Sequence, residues 1–280
     1  MTAPAARKQV AIAVAPNGGR KTKADHPALP LTVEELARAA GECADVGAAM
    51  IHLHVRGRNG EHLLDADAYR ATIAGVCQAV GDRLVMQITT ESLGRYGPAQ
   101  QMAVALETNP EAVSLALREL APEPGDERPF ADFLLKLKRM RIWPQFILYT
   151  PDEAVRLEAL KKRGVIPFGD VAVLYALGRY TLLRTAAPSD LMPFLTPPAP
   201  RFAHFSVCAF GRREAACVTA AALLGGHARV GFENNLALPS GERAETNAEL
   251  VAAVARALAD LGFAEQSADA LREEVEPLLR

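Results

Sequence analysis

Apolar residues along this chain recur with two different periods, and the alternation between them predicts its architecture. Runs that are continuously apolar or alternate with period 2 at residues 9–15, 48–55, 84–90, 112–117, 143–149, 171–176, 203–209 and 229–232 read as strands. Stretches with apolar positions three and four apart read as helices, from residue 32 onward and then at 65–80, 100–106, 130–140, 151–163, 212–224 and 247–261. The first helix opens with Thr32-Val33-Glu34-Glu35, a capping box whose two ends satisfy each other's orphan amides. Residues 122–126 mark a surface loop, and the sixth connection, through Pro200, is a weaker, proline-rich segment. Eight strand–helix pairs in unbroken succession predict an α/β fold, a closed parallel (β/α)8 TIM barrel, with the last 15 residues as an extra C-terminal helix.

The 280 residues, 50% hydrophobic and 23% charged, are enough for one barrel core, so residues 1–280 read as a single domain. A net charge of −2 argues against nucleic acid or an anionic membrane as partner and points to a small molecule. No apolar run reaches the length of a membrane span, and residues 1–7 lack the apolar core of a signal peptide, so a cytoplasmic location is expected. Cys43, Cys77, Cys208 and Cys217 show no CxxC spacing and read as reduced packing thiols. Gly18-Gly19 and Gly225-Gly226 lack the spacing of a nucleotide-binding loop, which argues against phosphoryl or hydride transfer.

In such barrels the chemistry gathers at the C-terminal ends of the strands, where the βα loops converge. The second strand ends in Ile51-His52-Leu53-His54-Val55-Arg56. Histidines two apart on a strand project to one face, so His52 and His54 can supply two of the three protein ligands of a catalytic divalent metal. Glu233, at the end of the eighth strand, is the natural third; two imidazoles and a carboxylate form a common set for Zn²⁺. The plainer alternatives are two partly buried histidines and a loop carboxylate facing water. The same filter selects Asn17 and Arg20 after the first strand, Thr89, Thr90 and Glu91 at the third, and Ser114 on the fourth. It adds Gln145 and Tyr149 on the fifth, Arg212 after the seventh, and Arg229 and Asn234 at the eighth. Asp25 and His26 read as ordering the first loop, while His62 and His204 have no companion at ligand spacing.

Taken together, His52-x-His54-x-Arg56, Gly225-Gly226-His227-x-Arg229-x-Gly231-Phe232-Glu233-Asn234-Asn235 and Asn247-Ala248-Glu249-Leu250-Val251 resemble the β-keto acid cleavage enzymes. This family includes the 3-keto-5-aminohexanoate cleavage enzyme. His26-Pro27-Ala28-Leu29-Pro30 and Phe210-Gly211-Arg212 extend the resemblance over nearly the whole chain. It implies a homotetrameric barrel with Zn²⁺ held by His52, His54 and Glu233. The implied reaction condenses a β-keto acid with acetyl-CoA and cleaves the product to acetoacetate and a new acyl-CoA, with no bound organic cofactor. The resemblance also implies that Arg229, polarised by an adjacent carboxylate, removes the proton, while Thr89 and Ser114 position the substrate. Arg56, Thr90 and Gln145 are counted with them as substrate-binding.

The chain departs from the family pattern at several of these positions. Asn234 stands where the best-known members carry that carboxylate, and Gln145 replaces a glutamate; both changes keep shape and remove charge. An arginine is ordinarily protonated, so a neutral neighbour supports it poorly as a base. Glu91 occupies a position where the family usually has glycine, and is a candidate base or, alternatively, a gating or structural carboxylate. Arg20 stands in place of a first-loop glutamate that meets an ammonium group, which predicts a substrate with a second acidic group. A solvated basic loop or a contact with CoA phosphates are the alternatives for Arg20. Two other readings stay open: a zinc-dependent aldolase-like lyase that does not use CoA, and a diverged metal-binding barrel without turnover.

Overall fold

Eight short parallel strands close on themselves in the computed structural model, which describes residues 8–183 and 185–280. They are β1 (Ile12–Val14), β2 (Met50–Leu53), β3 (Val85–Thr89), β4 (Ala112–Ala116), β5 (Trp143–Leu148), β6 (Ala172–Leu177), β7 (His204–Ala209) and β8 (His227–Val230). Each pairs with its chain neighbours, and β8 returns to β1 through Ala228↔Ile12, so the expected barrel is present. The outer layer is α1 (Val33–Ala44), α2 (Ala66–Val80), α3 (Pro98–Thr108), α4 (Glu127–Met140), α5 (Pro151–Lys162), α6 (Met192–Leu195), α7 (Glu214–Leu223) and α8 (Asn247–Asp260). The signal-peptide reading of residues 1–7 concerns residues outside those described. No helix among the described residues is long and apolar enough to cross a membrane.

Local chemistry accounts for where the elements begin and stop. The Thr32 capping box forms as expected, with Glu35 N donating to Thr32 Oγ1 and Thr32 N donating to Glu35 Oε2, both at 3.2 Å. Thr150 starts α5 with the same reciprocal box, and the Thr246 hydroxyl caps α8 by accepting from Glu249 N. The sixth crossover carries only a 3₁₀ turn (Pro188–Leu191) and the single turn α6, because its prolines remove the amides that a longer helix needs. β2 ends at Leu53, short of the expected 55, since Val55–Arg56 peels away to pair antiparallel with His62–Leu63. β8 lies two residues before its expected 229–232. Gly231, at φ +136°, turns the chain out of the strand, and a Cβ there would sit 2.4 Å from the Ala15 carbonyl oxygen.

The C-terminal helix, α9 (Ala268–Val275), closes the N-terminal end of the barrel. Small residues at the strand starts, Ala11, Ala49, Ala112 and Ala172, leave space that Leu271, Val275 and Leu278 fill against Trp143. The Glu274 carboxylate accepts hydrogen bonds from His204 Nδ1 (3.2 Å), His227 Nε2 (3.0 Å) and Gln266 Nε2 (2.7 Å). His204, isolated in sequence, thus finds its partner through tertiary structure. Burial alone would raise the Glu274 carboxyl, but the hydrogen bonds from both histidines hold it well below its ordinary range. The same bond raises His204 above its usual value. The Glu274 contribution is therefore present above the ordinary carboxylate value of 4.5 and is lost in acid. The His204 contribution is complete below its ordinary 6.5 and fades as pH rises through its raised folded value. Glu274→Gln is expected to cost about 1 kcal/mol after solvent screening, a few degrees of Tm. Calorimetry across pH should find the gap to wild type widest near pH 5–6, between the ordinary carboxylate and imidazole values, and a gap that kept growing above pH 8 would contradict this account.

Candidate active site

At the opposite end of the barrel, three potential ligand atoms converge. His52 is the last residue but one of β2, His54 lies just past its end, and Glu233 stands just past β8, so β1 separates the two sides of the group. The two Nε2 atoms are 3.2 Å apart, and Glu233 Oε2 lies 3.6 Å from that of His52 and 3.4 Å from that of His54. The first loop passes close under the carboxylate at Gly18, where φ is +63° and a Cβ would fall 2.5 Å from Glu233 Cγ. Asn17 Nδ2 donates to the His54 carbonyl at 3.0 Å and so pins the second strand end to the same loop.

The surroundings leave the inward atoms of His52 and Glu233 without protons. His52 Nδ1 donates to Gln87 Oε1 at 2.7 Å, which puts the lone pair on Nε2, facing the other two groups. Burial, reinforced by the Arg229 charge, holds His52 well below its ordinary value and therefore neutral. Burial would raise Glu233, but the Arg229 charge beside it outweighs this and keeps the carboxyl well below its usual range. Since His52 is neutral, the ion pair that anchors Glu233 is the one with Arg229, whose Nη2 lies 2.5 Å from Oε1. Glu233 Oε2 and His54 Nδ1 have no hydrogen-bond partner among the described residues. A buried N2O donor set with an unpartnered carboxylate oxygen at its centre fits a divalent cation.

Arg229 is itself buried; burial would lower it, and the Glu233 ion pair more than restores its charge. The Asn234 side chain makes no hydrogen bond among the described residues and borders the outer cleft, so the partner of Arg229 is Glu233 rather than position 234. The following turn is held by Glu214, which accepts from Gly231 N and Asn235 Nδ2, both at 3.2 Å. Burial pushes the Glu214 carboxyl well above its ordinary range. Lys21 Nζ donates to the Glu233 carbonyl at 2.7 Å. No motif marked Gln87 or Glu214.

An inner pocket with about 20 Å³ of free space adjoins the three ligand atoms, and an outer cleft of about 740 Å³ opens above it. Thr89, Thr90, Ser114 and Tyr149 reach the inner pocket. Thr89 Oγ1 accepts from Glu91 N at 3.0 Å, Thr90 Oγ1 donates to the Ser114 carbonyl at 2.9 Å, and buried Ser114 Oγ has no partner among the described residues. Gln145 lies outside this wall: its Oε1 accepts from Gln87 Nε2 at 3.1 Å, one layer behind His52. Arg56 does not reach the pocket either. Its guanidinium is spent on the carbonyls of Gly18, Lys21 and Gly60 and so braces the first loop. Arg20 is exposed on the outer cleft together with Lys21, Arg212 and Arg243. Between the two spaces stands a pair that sequence reasoning half missed, Glu91 Oε1 bonded to Arg179 Nη2 at 2.9 Å. All four cysteines are free; Cys208 borders the inner pocket, where burial pushes its thiol up to about 11.

A family model described as beta-keto acid cleavage enzyme matches residues 9–276. The chain is 28% identical to the 3-keto-5-aminohexanoate cleavage enzyme of Acetoanaerobium sticklandii, over 91% of this chain and 93% of that one. It is 26% identical to the 3-oxoadipate:acetyl-CoA acetyltransferase of Cupriavidus necator, over 90% and 89% respectively. Among solved structures, apo ObcA superposes with a TM-score of 0.67 at 17% identity, covering 89% of this chain and 65% of the longer ObcA chain, a likeness of fold.

Proposed function

Because this chain belongs to the beta-keto acid cleavage enzyme family, we propose that it is a transferase that condenses a β-keto acid with acetyl-CoA and releases acetoacetate and a new acyl-CoA. The observation that carries the reading is the convergence of His52 Nε2, His54 Nε2 and Glu233 Oε2 on one buried point beside a pocket. These three atoms would hold Zn²⁺, which when bound supplies Lewis-acid polarisation of a keto oxygen. Gln87 fixes the His52 tautomer, and Arg229 keeps Glu233 ionised while presenting a buried positive charge to oxyanions of the substrate. In this reading Arg229 acts as a cation rather than as the base, and uncharged Asn234 leaves it so. The unpartnered Ser114 hydroxyl, with Thr89 and Thr90 beside it, offers hydrogen bonds to the substrate. Arg20, Lys21, Arg212 and Arg243 line the wide outer cleft, where their charge suits the phosphates of CoA. Glu91, engaged by Arg179, belongs to the rim between cleft and pocket.

The whole chain is read as one barrel domain of a cytoplasmic enzyme. Assembly into a homotetramer is part of this reading, and the exposed apolar side chains of Leu182 (98% exposed) and Leu183 (78%) at a loop tip are ones that a subunit contact would cover. The test is acetoacetate production by the zinc-loaded protein with acetyl-CoA and a panel of neutral, cationic and anionic β-keto acids, with His52→Ala as the blank. Turnover is expected only with acetyl-CoA present and only with His52 intact. Cleavage that proceeds equally without acetyl-CoA would favour an aldolase-like lyase, and silence across the panel would reject the reading.

A further inference from the structure

We infer, on the basis of the function proposed above, that the inner pocket selects a β-keto acid whose acyl substituent is apolar and uncharged, and that the Glu91–Arg179 ion pair enforces this choice. The pocket has two unlike sides. His52, His54, Arg229 and Glu233 occupy the β2 and β8 side, where the keto and acid groups of a substrate are matched. Across the barrel, Ala116, Ile147, Leu174, Ala176 and Phe210 form an apolar wall from β4, β5, β6 and the end of β7. A substituent that points away from the metal ligands meets this wall, where burial favours an apolar group and penalises an unpaired charge.

Glu91 and Arg179 are the charged side chains that border the pocket away from the metal ligands and Arg229, among the described residues, and they neutralise each other. Their side chains are 17% and 11% exposed, so the pair is shielded and each charge depends on the other. Its geometry is fixed from both ends. The Glu91 amide donates to Thr89 Oγ1 at 3.0 Å, and its carbonyl accepts from His62 Nε2 at 2.6 Å. On the other side, Gly178 has φ +76°, and a Cβ there would fall 2.8 Å from the Thr185 carbonyl carbon. The Arg179 guanidinium lies 5.0 Å from the centre of the Phe210 ring. The neighbouring Tyr180 ring is clamped by Arg118, whose Cζ is 4.7 Å from it and 4.6 Å from the Tyr149 ring. An anionic substituent would approach Glu91 as closely as Arg179, and a cationic one would approach Arg179 as closely as Glu91. Arg20, the receptor expected for a second acidic group, is exposed on the outer cleft and does not border the inner pocket.

The experiment measures kcat/KM of the zinc-loaded wild type with acetyl-CoA and three probes: 3-oxohexanoate (neutral), 3-oxoadipate (anionic) and 5-amino-3-oxohexanoate (cationic). Calorimetric Kd values for the same acids, measured without acetyl-CoA, give a second readout. Wild type is expected to prefer the neutral acid by at least about tenfold in both. Glu91→Gln leaves Arg179 unpaired and should raise the anionic-to-neutral ratio by at least about tenfold, and Arg179→Gln should raise the cationic-to-neutral ratio by a similar factor. Ratios cancel any general loss of turnover in a variant. A wild-type preference for either charged acid, or unchanged ratios in both variants, would overturn the inference. So would a Glu91→Gln protein that binds all three acids with wild-type order yet turns over none, because Glu91 would then be acting in the chemistry. Wild-type silence with every probe would instead remove the reaction assigned above and this inference with it.

Discussion

His54→Ala is expected to lower kcat/KM for acetoacetate formation by at least about a thousandfold and to leave the purified protein with little bound zinc. Loss of a residue that merely orients a metal ligand costs about 10- to 100-fold in affinity or activity, and loss of a ligand itself removes more. The surrounding geometry makes His54 a clean choice. Its Nδ1 has no hydrogen-bond partner among the described residues, so the substitution breaks no polar network beyond the cluster itself. His52, by contrast, is tied through Gln87 to Gln145 and on to Ser206 Oγ. Metal content by plasma emission, activity and circular dichroism measured together separate the outcomes. A folded His54→Ala protein that keeps one zinc per chain and near-wild-type turnover would remove His54 from the ligand set. Wild type stripped with a chelator should match the variant, and added zinc should rescue only the wild type.

What the sequence disclosed about this site follows the range of the interactions involved. The barrel was readable because each strand and helix declares its own period locally, and His52-x-His54 because two residues on one strand define a face without reference to the rest of the chain. Glu233 became a candidate only once the strand-end rule brought the eighth strand beside the second. The remaining partners are products of barrel closure: Gln87 meets His52 across 35 positions, Arg179 meets Glu91 across 88, and Lys21 meets the Glu233 carbonyl across 212. No periodicity records such separations. Arg56 shows the converse limit. Its place beside the histidines was evident, but its use was not, since the carbonyls of Gly18, Lys21 and Gly60 that absorb its donors exist at every position of every chain. The two-residue displacement of β8 has a similar origin, because apolar Val230 and Phe232 read as strand while Gly231 between them adopts a positive φ required by the Ala15 backbone.

Arg229→Met should be nearly as damaging as loss of a metal ligand, and for two separable reasons. In the metal-free protein the substitution strands the Glu233 carboxylate, which is shielded from solvent and depends on Arg229 for its charge. Breaking a buried pair by removing one partner typically costs about 3–5 kcal/mol, which should appear as a marked fall in Tm. In the metal-loaded enzyme the cation offered to substrate oxyanions is also gone, and removal of one such preorganised group lowers kcat by about 10²–10³. The double variant Arg229→Met with Glu233→Gln distinguishes the effects. With no stranded carboxylate, its metal-free stability should recover much of what the single substitution lost, while activity stays absent because the ligand is lost as well. Additive stability losses in that cycle would mean that the 2.5 Å contact between Nη2 and Oε1 contributes little coupling, and that Arg229 is held in place by the strand rather than by Glu233. A single Arg229→Met variant with ordinary kcat would show that the charge buried beside the ligand cluster is structural.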